Sequence, residues 1–166
     1  MNLLDPLLPD QVDNRFRGRR AALWLLGLLI FVKMAMSLNS LFNTASVAGG
    51  ADGIPLASFG PEAERQVLLL FALLALAHLF FALIALLALV RYRGMVPFVY
   101  LVLLAEHIAR RIIAQGYAAP GARMTDIAWY VNYGLLTLLT LGFVLSLVPA
   151  RGARAHRSAF DMEEGQ

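Results

Sequence analysis

Four long apolar runs, at about 21–42, 62–90, 96–115 and 127–148, constrain this chain more than anything else in it. Each reaches the roughly 20 residues that a helix needs to span a ~30 Å hydrocarbon core, and no internal proline breaks any of them. In 166 residues, 60% hydrophobic and 15% charged, four such helices leave no room for a separate folded domain. The expected fold is an all-α membrane protein, a four-transmembrane-helix antiparallel bundle. Residues 1–20 then form an interfacial amino-terminal segment, 43–61 an outer loop, and 149–166 a polar tail expected to be disordered.

Orientation follows from where the basic residues fall. Four arginines precede the first run, Arg91 and Arg93 lie between the second and third, and Arg151, Arg154 and Arg157 follow the fourth. Against these nine, the other two connections hold Arg123, with Arg65 at a helix entrance. Cytoplasmic loops carry the excess of Lys and Arg, so both termini are expected in the cytoplasm. Ser46-Val47-Ala48 would serve as a small-residue cleavage site, but the apolar stretch before it is longer than the 7–15 residues of a signal-peptide core. The amino-terminal Leu3, Leu4, Leu7 and Leu8, interrupted by Pro6 and Pro9, suit a membrane surface or a docking partner, or a disordered tail.

Thirteen of the fourteen basic residues are arginine, a bias that with the abundant alanine and leucine suggests a GC-rich bacterium and hence its inner membrane. Cysteine is absent, which removes thiol chemistry, disulfides and iron–sulfur ligation. The basic balance belongs to arginines beside lipid headgroups, so no nucleic-acid partner is implied.

Ionisable residues inside the apolar runs are the exception to this pattern. Glu106, His107, Arg110 and Arg111 interrupt the third run, Lys33 the first and His78 the second. Charges at such depth are costly and face a bundle interior or an aqueous cavity, so they mark a candidate site. At 100° per residue Glu106 and Arg110 lie about 40° apart, and all four polar residues of the third run fall within about 140°. A lysine ammonium can lose its proton when buried, whereas a guanidinium holds it, so the sole lysine is singled out. The alternative for Lys33 is a side chain that snorkels to a surface.

Two further stripes run at helical spacing: Lys33, Ser37, Ser40 and Thr44 on the first run, and Asp126, Tyr130, Tyr133 and Thr137 on the fourth. Asp126 suits the N-cap of that fourth helix. Ala75, Ala82 and Ala85 share a face with His78, a small-residue surface suited to close packing. Lys33 lies 13 residues past Arg20, His78 13 before Arg91, and Glu106 and His107 13 and 14 past Arg93. At 1.5 Å per residue each sits ~20 Å from the cytoplasmic edge, so they occupy one layer. Thr137 belongs to that layer, while Arg110, Arg111, Tyr130 and Tyr133 lie further out. The inner half is expected to be apolar packing.

These residues suggest a pocket in the outer half that binds a small amphipathic or anionic ligand such as a lipid or quinone headgroup. Lys33, Arg110 and Arg111 would hold its anionic or carbonyl end and Tyr130 and Tyr133 would supply hydroxyls and flat surface. Glu106 and His107 are the candidate acid and base, though whether any reaction occurs is left open. Three other readings compete. Glu106 and Arg110 could be an ion pair that fixes helix register. His78 and His107 could hold a b-type haem, with Arg110 and Arg111 on its propionates, or join Glu106 at a zinc ion. The chain could also be an accessory subunit of a larger membrane complex, or a homo-oligomer. The 43–61 connection could cover an outward cavity, but a connection this rich in Gly and Ala is expected to be mobile. The general plan is similar to that of small bacterial four-helix membrane proteins, DoxX-like ones among them, a likeness of architecture that carries no function across.

Overall fold

A computed structural model describes residues 14–117 and 126–149. Among these residues there are four long helices and no strand: α1 Arg20–Phe42, α2 Pro61–Arg91, α3 Val96–Gly116 and α4 Asp126–Leu147. The expectations placed on the amino-terminal leucines, on Arg123, on the Asp126 side chain and on the tail from 150 lie outside the described residues.

Local chemistry accounts for where the helices begin. Pro61 occupies the first turn of α2 behind Gly60, its preset φ suiting a position that needs no backbone donor, and Glu62 and Glu64 meet the positive end of the helix dipole. A single 3₁₀ turn, Arg93–Met95, carries the chain from α2 to α3, and Pro97 stands in the first turn of α3. The start of α1 has no side-chain cap. It is held instead by tertiary contacts, with Arg19 N donating to Leu145 O at 3.2 Å and Gly18 bridging Pro149. A Cβ on Gly18 would run into the Ser146 carbonyl, so only glycine allows this approach.

The helices do not pack evenly. α1 is the central element, lying along α2 over most of its length and also against α4, while α3 packs chiefly on α4. α2 buries only its alanine stripe, Ala75, Ala82, Ala85 and Ala88, so the two backbones can come close. Its bulky residues point away: Leu70 is 66% exposed, Phe80 58% and Ile84 61%. In water such a face would be a large unpartnered apolar patch; in lipid it needs no partner.

Three helices, α1, α2 and the Ala128–Leu147 part of α4, are long and apolar enough to cross a membrane. α3 does not meet that measure, although four crossings were expected, because Glu106, Arg110 and Arg111 fall within its 21 residues. α2 has 31 residues and is ~46 Å long at 1.5 Å per residue, so in a ~30 Å core it must tilt or protrude.

Apolar packing fills the half of the molecule nearest the termini, where Leu26, Leu29, Leu103 and Leu139 are fully buried. Tyr100 ties this half together: its hydroxyl donates to Ala22 O at 2.7 Å across to α1, while its ring lies where a Cβ on Gly142 of α4 would stand.

The connection from 43 to 60 has short elements of its own. It folds into short turns, Thr44–Ser46, Val47–Ala51 and Leu56–Ser58, with Ala48 fully buried and Ile54 N bonded to Ala48 O at 2.9 Å. Gly53 turns the chain with φ at 70°, a conformation that L side chains rarely adopt. Of the small residues here Ala48 is buried, whereas Ala45, Gly50, Ala51 and Ala57 are exposed, a division that composition does not show.

Candidate functional site

Glu106 is the centre of the polar layer, and three helices supply its partners. Its Oε1 accepts from His78 Nε2 on α2 at 3.0 Å and from Arg110 Nε one turn along α3 at 3.1 Å. Its Oε2 faces Lys33 Nζ on α1 at 3.6 Å. Helical spacing puts Arg110 over Glu106, and the matched depths of positions 33, 78 and 106 bring the other two within reach.

His107 faces the opposite way. Its Nε2 donates to the Asn132 carbonyl of α4 at 3.1 Å, which leaves Nδ1 to accept from Arg110 Nη2 at 3.2 Å. One nitrogen giving a proton to a carbonyl and the other taking one from a guanidinium describe a neutral ring in its Nε2–H tautomer. Arg110 therefore joins the two polar residues of its own helix, one pair pointing to α1 and α2 and the other to α4.

A half-open cavity of about 210 Å3 lies against this network. Lys33, Ser37 and Ser40 of α1, His78 of α2, Arg110 of α3 and Asn132 of α4 form its polar wall. Met36, Phe71, Leu74, Val131 and Leu135 form an apolar one, and Val47, Ala51 and Asp52 of the 43–60 connection complete the lining. At ~30 Å3 per water the space suits a cluster of waters or one headgroup, below the ~300–1,000 Å3 of sites for drug-sized ligands. Partial burial raises the Asp52 carboxyl above its ordinary value, and the Arg110 charge works against that rise.

Several residues singled out in the sequence stand elsewhere. Glu106 is behind the cavity wall, screened by Lys33 and Arg110, and His107 is buried against α4, so neither candidate acid or base lines the cavity. Tyr130 and Tyr133 point outward, Tyr130 edge-to-face with Trp129 at 5.2 Å between ring centroids and Tyr133 tilted against it at 4.5 Å. Arg111 lies over the Tyr133 ring at 5.5 Å, and the exposed Thr137 hydroxyl donates to the Tyr133 carbonyl of its own helix. The polar stripe of α4 is thus an outer face. Amphipathic aromatic rings favour the membrane–water interface, and a threonine satisfied within its helix does not need the interior.

The wall that α4 gives the cavity is Ala128, Val131, Asn132 and Leu135. Asn132 is the polar residue of that wall, half-buried, with its Nδ2 donating to Ala128 O at 2.7 Å, and its place between the buried Ala128 and Leu135 on one helix face was the available signal for it. Asp52 was signalled only by being the sole charge of its connection.

Metal chemistry fits this arrangement poorly. Both ring nitrogens of His107 are engaged and His78 Nε2 is on Glu106, so axial ligation of a haem by the pair would break bonds the fold makes. Among the described residues, no three of His, Asp and Glu converge as a metal site, which removes the zinc reading of His78, His107 and Glu106. No family model, curated protein or solved structure matches this chain.

Proposed function

We propose that this chain is an integral protein of a bacterial inner membrane, a four-helix antiparallel bundle with both termini cytoplasmic, whose outer-half cavity holds the polar head of a small amphipathic molecule such as a lipid or quinone. The arginine distribution supports the orientation. The partners of Glu106 and Arg110 support a crossing by α3: charges satisfied inside the protein do not oppose insertion as bare ones would.

One observation carries the reading. The Lys33 ammonium is nine-tenths buried on the cavity wall, and its ion-pair partner among the described residues is Glu106 at 3.6 Å. Charge-assisted N–H···O bonds run at about 2.7–2.9 Å, so this ammonium has donors to spare for an anionic or carbonyl oxygen beside an apolar wall.

Native mass spectrometry of the protein released from mild detergent tests this. The wild-type chain should retain a bound amphiphile. Lys33→Met, which removes the cation, and Ser40→Leu, which fills the cavity without touching the ion network, should both lose it while far-UV circular dichroism stays helical. Equal retention by all three proteins would refute the pocket.

A further inference from the structure

The charges around the cavity restrict what kind of head it takes. Lys33, Arg110 and His78 all converge on the one carboxylate of Glu106, and His107 bonds as a neutral ring, so the polar wall carries at least two cations against one carboxylate, with Asp52 as the second carboxylate at the cavity. A net anion entering this site would meet the Lys33 and Arg110 charges but would also stand beside the Asp52 carboxylate, which repels it. A neutral head would leave the spare donors of Lys33 with a weak acceptor only.

The two carboxylates are not equivalent. Glu106 is behind the cations, whereas Asp52 lines the cavity itself, on an exposed turn of the 43–60 connection near enough for the Arg110 charge to act on its carboxyl. The cavity therefore has a positive wall, made by Lys33 and Arg110, and a negative rim, made by Asp52. Its apolar wall leads past Phe71 and Leu74 to the exposed aliphatic face of α2.

From this arrangement we infer that the cavity takes a zwitterionic head, with a phosphate or carboxylate on Lys33 and Arg110 and an ammonium on Asp52. The inference rests on the pocket proposed above and narrows its ligand class. Zwitterions of this kind occur both as aminophospholipid headgroups and as free soluble molecules, and the two sources are separable by experiment.

The protein is purified in mild detergent with an equimolar mixture of phosphatidylethanolamine and phosphatidylglycerol, and the retained lipid is identified by native mass spectrometry. Wild-type protein should favour phosphatidylethanolamine. Asp52→Asn should shift the ratio toward phosphatidylglycerol by about two- to fivefold, the range expected for one partly exposed ion pair. Lys33→Met and Ser40→Leu should retain neither lipid. If the ligand is soluble, glycerophosphoethanolamine should raise the unfolding temperature of the wild type more than glycerol phosphate does, and Asp52→Asn should erase the difference. A lipid ratio and a thermal response both unchanged in Asp52→Asn would overturn the zwitterion while leaving the pocket intact, provided Lys33→Met still loses lipid. Undiminished retention by Lys33→Met and Ser40→Leu would overturn the pocket, and this inference with it.

Discussion

Replacing Glu106 by Gln removes one charge and almost no volume, so it isolates the electrostatic part of the cluster. The amide oxygen can take the place of Oε1 and keep both bonds, from His78 Nε2 at 3.0 Å and Arg110 Nε at 3.1 Å, while the amide nitrogen turns toward Lys33. Hydrogen bonds to charged groups are worth about 1.5–3 kcal/mol against about 0.5–1.5 for neutral ones, so weakening two of them costs about 2 kcal/mol. Lys33 also loses its counter-ion. Breaking a buried pair from one side costs about 3–5 kcal/mol, but the 3.6 Å separation and the open cavity beside the ammonium place this loss nearer 2. The total of about 4 kcal/mol corresponds to a drop in Tm of about 8–16 °C for a chain of this size. Trp24 and Trp129 report unfolding by intrinsic fluorescence in detergent. Adding Lys33→Met to Glu106→Gln should recover about 1–2 kcal/mol, because the stranded charge is then gone. A Tm within about 2 °C of wild type for Glu106→Gln, or a double variant whose losses simply add, would show that these groups do not form the ion network described above.

Three other perturbations have defined outcomes. Gly142→Ala should cost about 1–3 kcal/mol, since its Cβ overlaps the Tyr100 ring and hydroxyl, and Tyr100→Phe, which loses the bond to Ala22 O, should cost about 1 kcal/mol and relieve the first variant only in part, because the ring carbons Cε1 and Cζ stay in the way; thermal melts of the two singles and the double check both. Because the chain has no native cysteine, Ser58→Cys and Ser158→Cys report orientation directly: a membrane-impermeant maleimide should label the first in intact cells and the second only after permeabilisation, and the reverse pattern would invert the topology. Burial raises the Asp52 carboxyl above its ordinary 3.8, with Arg110 opposing, so the folded state holds that proton more tightly than the unfolded chain. The stability this confers is present below pH 3.8 and is lost as pH rises through the folded value, so Asp52→Asn should flatten the dependence of Tm on pH from 3.8 upward; parallel curves for variant and wild type would contradict the burial.

Lys33, His78 and Glu106 show how far sequence carries a site of this kind. Their common distance from the basic ends of their helices put them at one depth, and the contacts of Glu106 join them there. That common level was legible because an α-helix advances a fixed distance per residue and arginines mark the same end of each of these helices. The partner of His107 was not legible, since it is a backbone carbonyl, that of Asn132, and every residue has one. Tyr130, Tyr133 and Thr137 were assigned inward because polarity inside an apolar run was taken to mean burial. Their rings and the Thr137 hydroxyl are satisfied on an outer face, by edge and tilted contacts with Trp129 and by the Tyr133 carbonyl of the same helix.

By itself the sequence determined that the chain is helical, that α1, α2 and α4 are long and apolar enough to cross a membrane, and how far along its own helix each polar residue lies, since these depend only on composition and on the geometry of a single helix. Tertiary structure decided how each helix is rotated about its own axis. That rotation is set by where backbones come close, along the alanine stripe of α2 against α1 and at Gly142 beneath Tyr100, and by how the 43–60 connection folds back with Asp52 over the cavity. Periodicity gives the angle between two residues of one helix, but the direction that angle is measured from exists only once the helices have packed.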